Sequence, residues 1–245
     1  MIIIPAVDIR HGRCVRLSQG RADAETVYGD DPSAMALHWQ DLGAARLHVV
    51  DLDGAFEKSP RNALAVEKIL KTVSVPVSVG GGVRNREIFD RWISLGVDRV
   101  VVGTEAVKNP EWVKAAALAH PGRLVLGIDA KNGMVAVEGW TETTALSAID
   151  LALRFQGLPV AAVHFTDIAR DGMQTGVNLT ATADFARKCP FPVVASGGVS
   201  VIDDIEALLP LEKLGVTGVI TGRALYAKTL SLPEAIALAG KNPAS

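Results

Sequence analysis

The strongest constraint on this chain's fold is that its two halves carry the same short motifs in the same order. His48-x-x-Asp51 returns as His164-x-x-Asp167, 116 residues later (164 − 48). Pro76-Val77-x-x-x-Gly81-Gly82-Val83 returns as Pro192-Val193-x-x-x-Gly197-Gly198-Val199 at the same spacing (197 − 81). Asp8-x-x-x-Gly12 is matched by Asp129-x-x-x-Gly133 at 121 residues (129 − 8), and Gly103 by Gly222 at 119 (222 − 103). Four ordered pairs mark a duplicated unit, which restricts the fold to architectures built from two equivalent halves.

The local pattern says what each half contains. Short β-branched runs at Ile2–Val7, Arg46–Asp51, Val75–Val79, Arg99–Val102, Leu124–Ile128, Ala161–Thr166, Pro192–Ala195 and Gly218–Thr221 read as strands. Segments of helical periodicity lie between them, at Ser33–Leu42, Asn62–Lys71, Asn85–Leu95, Pro110–Ala119, Ala145–Phe155, Leu179–Lys188 and Ile202–Leu214, with Leu232–Ala239 last. Strands that alternate with helices are parallel, and nearly continuous apolar runs are buried on both faces. Eight such units, with no GxGxxG after the first strand, favour a closed barrel over an open doubly wound sheet. The expected class is α/β: one (β/α)8 TIM barrel domain over residues 1–245, from half-barrels of about 1–122 and 123–245. The polar stretch Ser18–Asp31 has no apolar period and is expected to be a long mobile loop after the first strand.

In such a barrel the first and fifth strands are opposite, and catalysis sits at the C-terminal strand ends. Asp8 and Asp129 each end an apolar strand, so two carboxylates face one another across the mouth. They suit an acid–base pair; otherwise each caps its following turn. Gly80-Gly81-Gly82-Val83-Arg84 and Val102-Gly103-Thr104 follow strands three and four, and Ser196-Gly197-Gly198-Val199 and Thr221-Gly222-Arg223 follow seven and eight. Glycine lets backbone N–H groups approach a phosphate, and loops after strands seven and eight are a recurrent phosphate site of the fold; a plain tight turn is the alternative. Two cradles on opposite sides call for a ligand phosphorylated at both ends, its middle between the aspartates.

Other features narrow the function class. The net charge of −2 argues against a broad nucleic-acid surface. No apolar stretch approaches membrane-spanning length, and Met1–Val7 lacks the marks of a signal peptide, so a soluble cytoplasmic protein is expected. Cys14 and Cys189 form no metal or redox spacing and are read as small apolar residues. His48 and His164 come from opposite strands, too far apart to share one ion, and are read as packed strand residues; no metal is expected. Thr166 and Asp167 leave their strand on opposite faces, so a Thr166 facing the mouth sends Asp167 toward the helices.

Taken together, Ile4-Pro5-Ala6-Val7-Asp8, Gly12-Arg13-Cys14-Val15-Arg16-Leu17-x-Gln19-Gly20, Val50-Asp51-Leu52-Asp53-Gly54-Ala55, Gly80-Gly81-Gly82-Val83-Arg84, Thr166-Asp167-Ile168-Ala169-Arg170-Asp171-Gly172 and Ser196-Gly197-Gly198-Val199 resemble the phosphoribosylformimino-aminoimidazole carboxamide ribotide isomerases of histidine biosynthesis. The resemblance covers essentially the whole chain. It implies an Amadori rearrangement of an aminoaldose phosphate to an aminoketose phosphate, with neither cofactor nor metal. It also implies that Asp8 is the base, Asp129 the acid, and Thr166 a hydroxyl that positions substrate beside the acid. First principles alone leave the two aspartates interchangeable.

Expected substrate contacts are Arg16, Gly81, Gly82, Arg84, Gly103, Thr104, Trp140, Asp171, Gly172, Gly176, Ser196, Gly197, Gly198, Gly222 and Arg223. Arg16 and Arg84 offer planar donors for phosphate or carboxamide, or form surface salt bridges. Trp140 stacks on an imidazole ring or caps the barrel wall. Asp171 accepts ribose hydroxyls or makes an Asx-turn before Gly172. A monomer acting on a small bisphosphorylated substrate, without nucleic-acid or membrane partners, is the expectation. Three rivals stand beside it: a barrel that also isomerises phosphoribosylanthranilate, the related imidazole glycerol phosphate synthase cyclase subunit, and a non-catalytic sugar-phosphate sensor. The segments 15–20 and 166–172 resemble the isomerase rather than the cyclase, and a sensor has no need of both carboxylates.

Overall fold

A computed structural model describes residues 1–18, 21–57 and 60–240. Among them the strands are β1 (Ile2–Arg10), β2 (Arg13–Ser18), β3 (Arg21–Gly29), β4 (Leu47–Asp51), β5 (Val77–Gly80), β6 (Arg99–Val102), β7 (Leu124–Lys131), β8 (Met134–Val137), β9 (Glu142–Ser147), β10 (Ala162–Asp167), β11 (Val193–Ser196) and β12 (Val216–Thr221). Eight of them, in the order β1-β4-β5-β6-β7-β10-β11-β12, pair in parallel, and β12 returns to β1, closing a (β/α)8 TIM barrel. β1 and β7 are four strands apart in either direction, hence opposite.

Strand parity sorts the side chains. On β1, Ile3, Val7 and Ile9 pack outward against the helices, whereas Ile4 and Ala6 belong to an interior cluster with Val125, Ala162, Val194 and Ile220. The same period of two carries the interior columns Ile4-Ala6-Asp8, Val125-Gly127-Asp129 and Ala162-His164-Thr166 up to the mouth. Apolar residues low in the columns fill the barrel, and polar ones top them. The outer layer is larger, with Phe89, Trp92 and Phe155 fully buried between strands and helices.

The stretch expected to be a mobile loop at Ser18–Asp31 is largely strand. β3 pairs antiparallel with β2, Val15 opposite Val27 and Arg16 opposite Thr26; Gln19 and Gly20 lie outside the described residues. The ladder supplies what the sequence pattern lacks, because an edge ribbon with one wet face needs no continuous apolar run. A second hairpin, β8–β9, follows β7, and β9 takes the start of the helix expected at Ala145–Phe155. That helix begins at Ala148, where the Ser147 hydroxyl accepts from Asp150 N–H. The helix expected at Ile202–Leu214 ends as an α-helix at Leu208 and continues as 3-10, since Pro210 has no N–H to bond the preceding turn.

The duplication extends to buried braces. Asp51, fully buried, accepts from Gly54 N (2.8 Å), Arg61 N (2.8 Å), Asn62 N (3.1 Å) and Asn62 Nδ2 (2.7 Å). Its mate Asp167 accepts from Ala169 N (3.0 Å) and Asn178 Nδ2 (2.6 Å), and Asn178 Oδ1 also caps the next helix at Ala181 N. Asn178 lies 116 residues after Asn62 (178 − 62), as Asp167 does after Asp51. A buried donor stripped of its acceptor costs about 1–3 kcal/mol. Asp51→Ala is therefore expected to lower the unfolding free energy by about 3 kcal/mol or more, and Asp167→Ala by less. Urea denaturation of both variants measures the difference, and equal losses would contradict it.

Candidate active site

The C-terminal strand ends enclose a cavity of about 270 Å³ lined by Asp8, Arg16, Gly81, Gly82, Arg84, Gly103, Thr104, Asp129, Trp140, Thr166, Asp171 and Ser196 among others. One side of each half of the barrel is thus represented on a single wall. Gly172, Gly176, Gly197, Gly198, Gly222 and Arg223 are not among its lining residues.

Asp8 tops the β1 column. Arg16, on β2, places Nη1 2.8 Å from Asp8 Oδ1. This is an ion pair rather than an aligned hydrogen bond, for Arg16 Nε and Nη1 are buried with no acceptor among the described residues. Burial pushes the Asp8 carboxyl up to about 6, against the pull of Arg16 and with a further push from the Asp171 charge. Asp129 tops the opposite column and accepts from Trp140 Nε1 at 2.8 Å. Thr166, its register partner on β10, lines the cavity beside it. Burial again raises the Asp129 pKa, Trp140 and Thr166 oppose it, and Asp171 adds to it. Asp171 is itself raised by burial and held back by Arg16. Three buried carboxyl groups thus gather at the mouth, and the Arg16 guanidinium opposes the rise in two of them, Asp8 and Asp171.

Asp167 points away from the cavity to its brace, as parity requires. Backbone geometry gives the glycine pairs a steric reason of their own. A Cβ on Gly81 (φ 99°) would lie 2.1 Å from the Asp51 carbonyl oxygen, and one on Gly197 (φ 91°) 2.9 Å from that of Asp167. The missing side chains face the neighbouring strand-end loop, so these glycines let two turns nest. Gly222 is different: the Arg16 guanidinium fills its side-chain space, with Nη2 1.6 Å from where a Cβ would stand.

The remaining charged positions are partly committed. Arg84 Nη1 lies 3.5 Å from Glu138 and 3.8 Å from Glu105. Glu138 also accepts from Lys108 at 2.6 Å, and its N–H donates to Thr104 Oγ1 at 3.1 Å. These contacts hold the turn Glu138-Gly139-Trp140, all three at positive φ, that brings Trp140 onto Asp129. Arg223 Nη1 donates to the Gly172 carbonyl at 2.5 Å, tying the loop after β10 to the end of β12.

The histidines correct one expectation. His48 and His164 are not remote: their rings meet edge to face with centroids 5.0 Å apart, because the interior of an eight-stranded barrel is narrow. They form the cavity floor beneath the aspartates. Burial pushes His48 down to about 4, with help from the Arg16 charge, and lowers His164 as well, so both are neutral at pH 7. Sequence reasoning also missed Leu52, Ala55 and Phe56, which line the cavity from the short helix Leu52–Glu57 after β4, and the brace Asn62/Asn178, which the 116-residue spacing would have exposed.

Comparison with known proteins sets this geometry in a family. The family model described as "Histidine biosynthesis protein" matches residues 2–231. The chain belongs to that family. Relatives within it include a protein of Desulfatibacillum aliphaticivorans, 61% identical over 245 residues, which span 99% of this chain and 98% of that protein. One of Desulfosudis oleivorans is 59% identical over 239 residues (98% and 95%), and one of Geobacter sulfurreducens 50% identical over 238 (97% and 98%). All three relatives are named 1-(5-phosphoribosyl)-5-((5-phosphoribosylamino)methylideneamino)imidazole-4-carboxamide isomerase.

The Trp140 contact makes a measurable prediction within this histidine-biosynthesis barrel. A donor to the ionised form lowers a carboxylate's pKa, so its removal raises it. Trp140→Phe is expected to lift the Asp129 titration midpoint, read from carbon-13 carboxyl shifts. A midpoint that stays or falls would contradict the contact's role.

Proposed function

We propose that this chain catalyses the isomerisation for which its relatives are named, converting the bisphosphorylated aminoaldose to its aminoketose with Asp8 as general base and Asp129 as general acid. The observation that carries the reading is the pair of buried carboxylates at the tops of opposite strands, lining one cavity. The acid must protonate the furanose ring oxygen as the bond from it to C1 breaks, leaving an iminium. The base then takes the C2 proton, and the resulting enolamine tautomerises to the ketone.

The environments favour this division of labour. Asp8 has a cation 2.8 Å away, which keeps it ionised at pH 7, while burial makes it more basic than an ordinary carboxylate. Asp129 has no ion-pair partner among the described residues, and the Asp171 charge favours its protonated form. A Trp140 ring that leaves Asp129 to stack on the substrate's imidazole removes one donor and raises the acid's pKa further. Phosphate at one end falls to Gly81, Gly82, Arg84, Gly103 and Thr104; at the other to Gly176, Ser196, Gly197, Gly198, Gly222 and Arg223. Asp171 and Gly172 lie beside the ribose, and Arg16 is a buried guanidinium with N–H groups still open to an acceptor.

No helix among the described residues is long and apolar enough to cross a membrane. We take the enzyme to be a cytoplasmic monomer whose domain spans both halves, about 1–122 and 123–245, and whose net charge of −2 gives nucleic acid no broad basic surface.

Mixing the enzyme with the aminoaldose bisphosphate and following its absorbance tests the activity. Asp8→Asn and Asp129→Asn are each expected to lower kcat by about 10²–10⁴-fold. Full turnover in either would overturn the assignment, and ammonia-dependent consumption of the ketose product would make the protein a cyclase instead. Because the base works ionised, kcat/KM is expected to fall as pH drops through about 6. An acidic limb near the ordinary carboxylate range would contradict Asp8 in that role.

A further inference from the structure

Among the described residues Arg16 is the one cation paired with Asp8, and its guanidinium is held without a hydrogen bond from Nε or Nη1. A buried arginine on a long side chain needs something else to fix it. Two features of the surrounding structure do so. One is the vacant side-chain space of Gly222, into which the guanidinium fits. The other is Tyr226, four residues further along, at the end of the short helix Arg223–Tyr226.

Tyr226 touches every part of the ion pair's support. Its hydroxyl donates to the Ala6 carbonyl at 3.0 Å, two residues before Asp8 on β1. The same oxygen lies 3.3 Å from Cys14 Sγ, two residues before Arg16 on β2. β1 and β2 pair antiparallel there, with Asp8 opposite Val15, so the phenol bridges the two strands beside the acidic and basic side chains. The Arg16 Cζ stands 5.9 Å from the Tyr226 ring centroid, within range of a cation–π contact. The ring is itself wedged, 4.8 Å from Tyr28 and 5.3 Å from Trp39 between centroids.

We propose that Tyr226 is a positioning residue of the reaction: its hydroxyl ties together the strands that carry Asp8 and Arg16, and its ring seats the guanidinium against the Asp8 carboxylate. Tyr226 touches no reacting atom and acts through its neighbours. The charged and titratable groups facing Asp8 are Arg16 and Cys14 from β2 and Asp171 from the loop after β10. Arg16 in turn faces Asp8, Asp171, Cys14 and Tyr226, with His48 below it. Of these only Arg16 lowers the Asp8 pKa, so a guanidinium that drifts leaves burial and Asp171 unopposed.

The inference rests on the reading of Asp8 as the base, and the test separates the two. Carbon-13 carboxyl titration reports Asp8 directly, with its signal assigned by its loss in Asp8→Asn. The wild type is expected to titrate at about 6, and Tyr226→Leu at about 7. Tyr226→Phe, which keeps the ring and loses the bridge, should shift the same way by less. At pH 6 the rise in Tyr226→Leu alone lowers kcat/KM roughly fivefold, since fewer carboxylates are ionised. An Asp8 midpoint unmoved in both variants, whatever their urea stability, overturns the proposal. Should Tyr226→Leu fail to fold, Tyr226→Phe decides it. A midpoint that moves while the acidic limb of kcat/KM stays upholds Tyr226's action on Asp8 and removes Asp8 from the base's role.

Discussion

Closure of the parallel sheet governs everything at the mouth. Once β12 pairs with β1 and β7 with β10, no strand can slip by one residue without turning its whole inward face out. That rigidity converts a period of two in the sequence into position. Asp8 and Asp129 end on the inside because Ala6 and Gly127 do, and Asp51 and Asp167 end on the outside because their strands are cut one residue later in phase. The two kinds of aspartate look alike in the sequence and have opposite work, one pair in the cavity and one pair bracing loops.

Above the closed sheet the decisive energetics are electrostatic. Three carboxyl groups with little water are costly to ionise together, and each is raised by burial. The single guanidinium of Arg16 is not placed symmetrically: it sits on β2, beside Asp8, and no equivalent cation pairs with Asp129 among the described residues. A duplicated scaffold thereby acquires two unlike carboxylates. Trp140, also without a mate in the other half, adds to the difference by donating to Asp129 alone. Asymmetry grafted onto symmetry gives the two carboxylates the unlike settings that an acid and a base require.

Much of this was legible in the sequence, and the limits have physical causes. The eight strands, their order and the opposed aspartates follow from β-branched runs and the repeat, because buried parallel strands carry a strong continuous signal. β3 was not legible: Ala22, Asp23, Ala24 and Glu25 have no apolar period, and the strand exists because β2 offers it a ladder. The helix at Ala148 started late for a similar reason, since β9 pairs with β8 before the Ser147 cap. His48 and His164 were misjudged because opposition in strand order was read as distance, whereas a barrel of eight strands brings opposite inward side chains to 5.0 Å. The Gly81 and Gly197 motifs were found for their repeat, yet their tight fit against Asp51 and Asp167 is a backbone contact that no residue pattern spells out. Tyr226 carries no motif at all; only packing reveals it.

The central claim is that one molecule lies across the mouth with its reacting carbons between Asp8 and Asp129. The most direct measurement is a crystal structure of Asp8→Asn protein with the aminoaldose bisphosphate bound, since the account expects this variant to turn substrate over too slowly to consume it during rapid trapping. The account predicts a phosphate at each glycine-rich side, the furanose oxygen within hydrogen-bond reach of Asp129, and C2 turned toward residue 8. A substrate held by one phosphate only, or with its C1–C2 bond away from both positions, would contradict it.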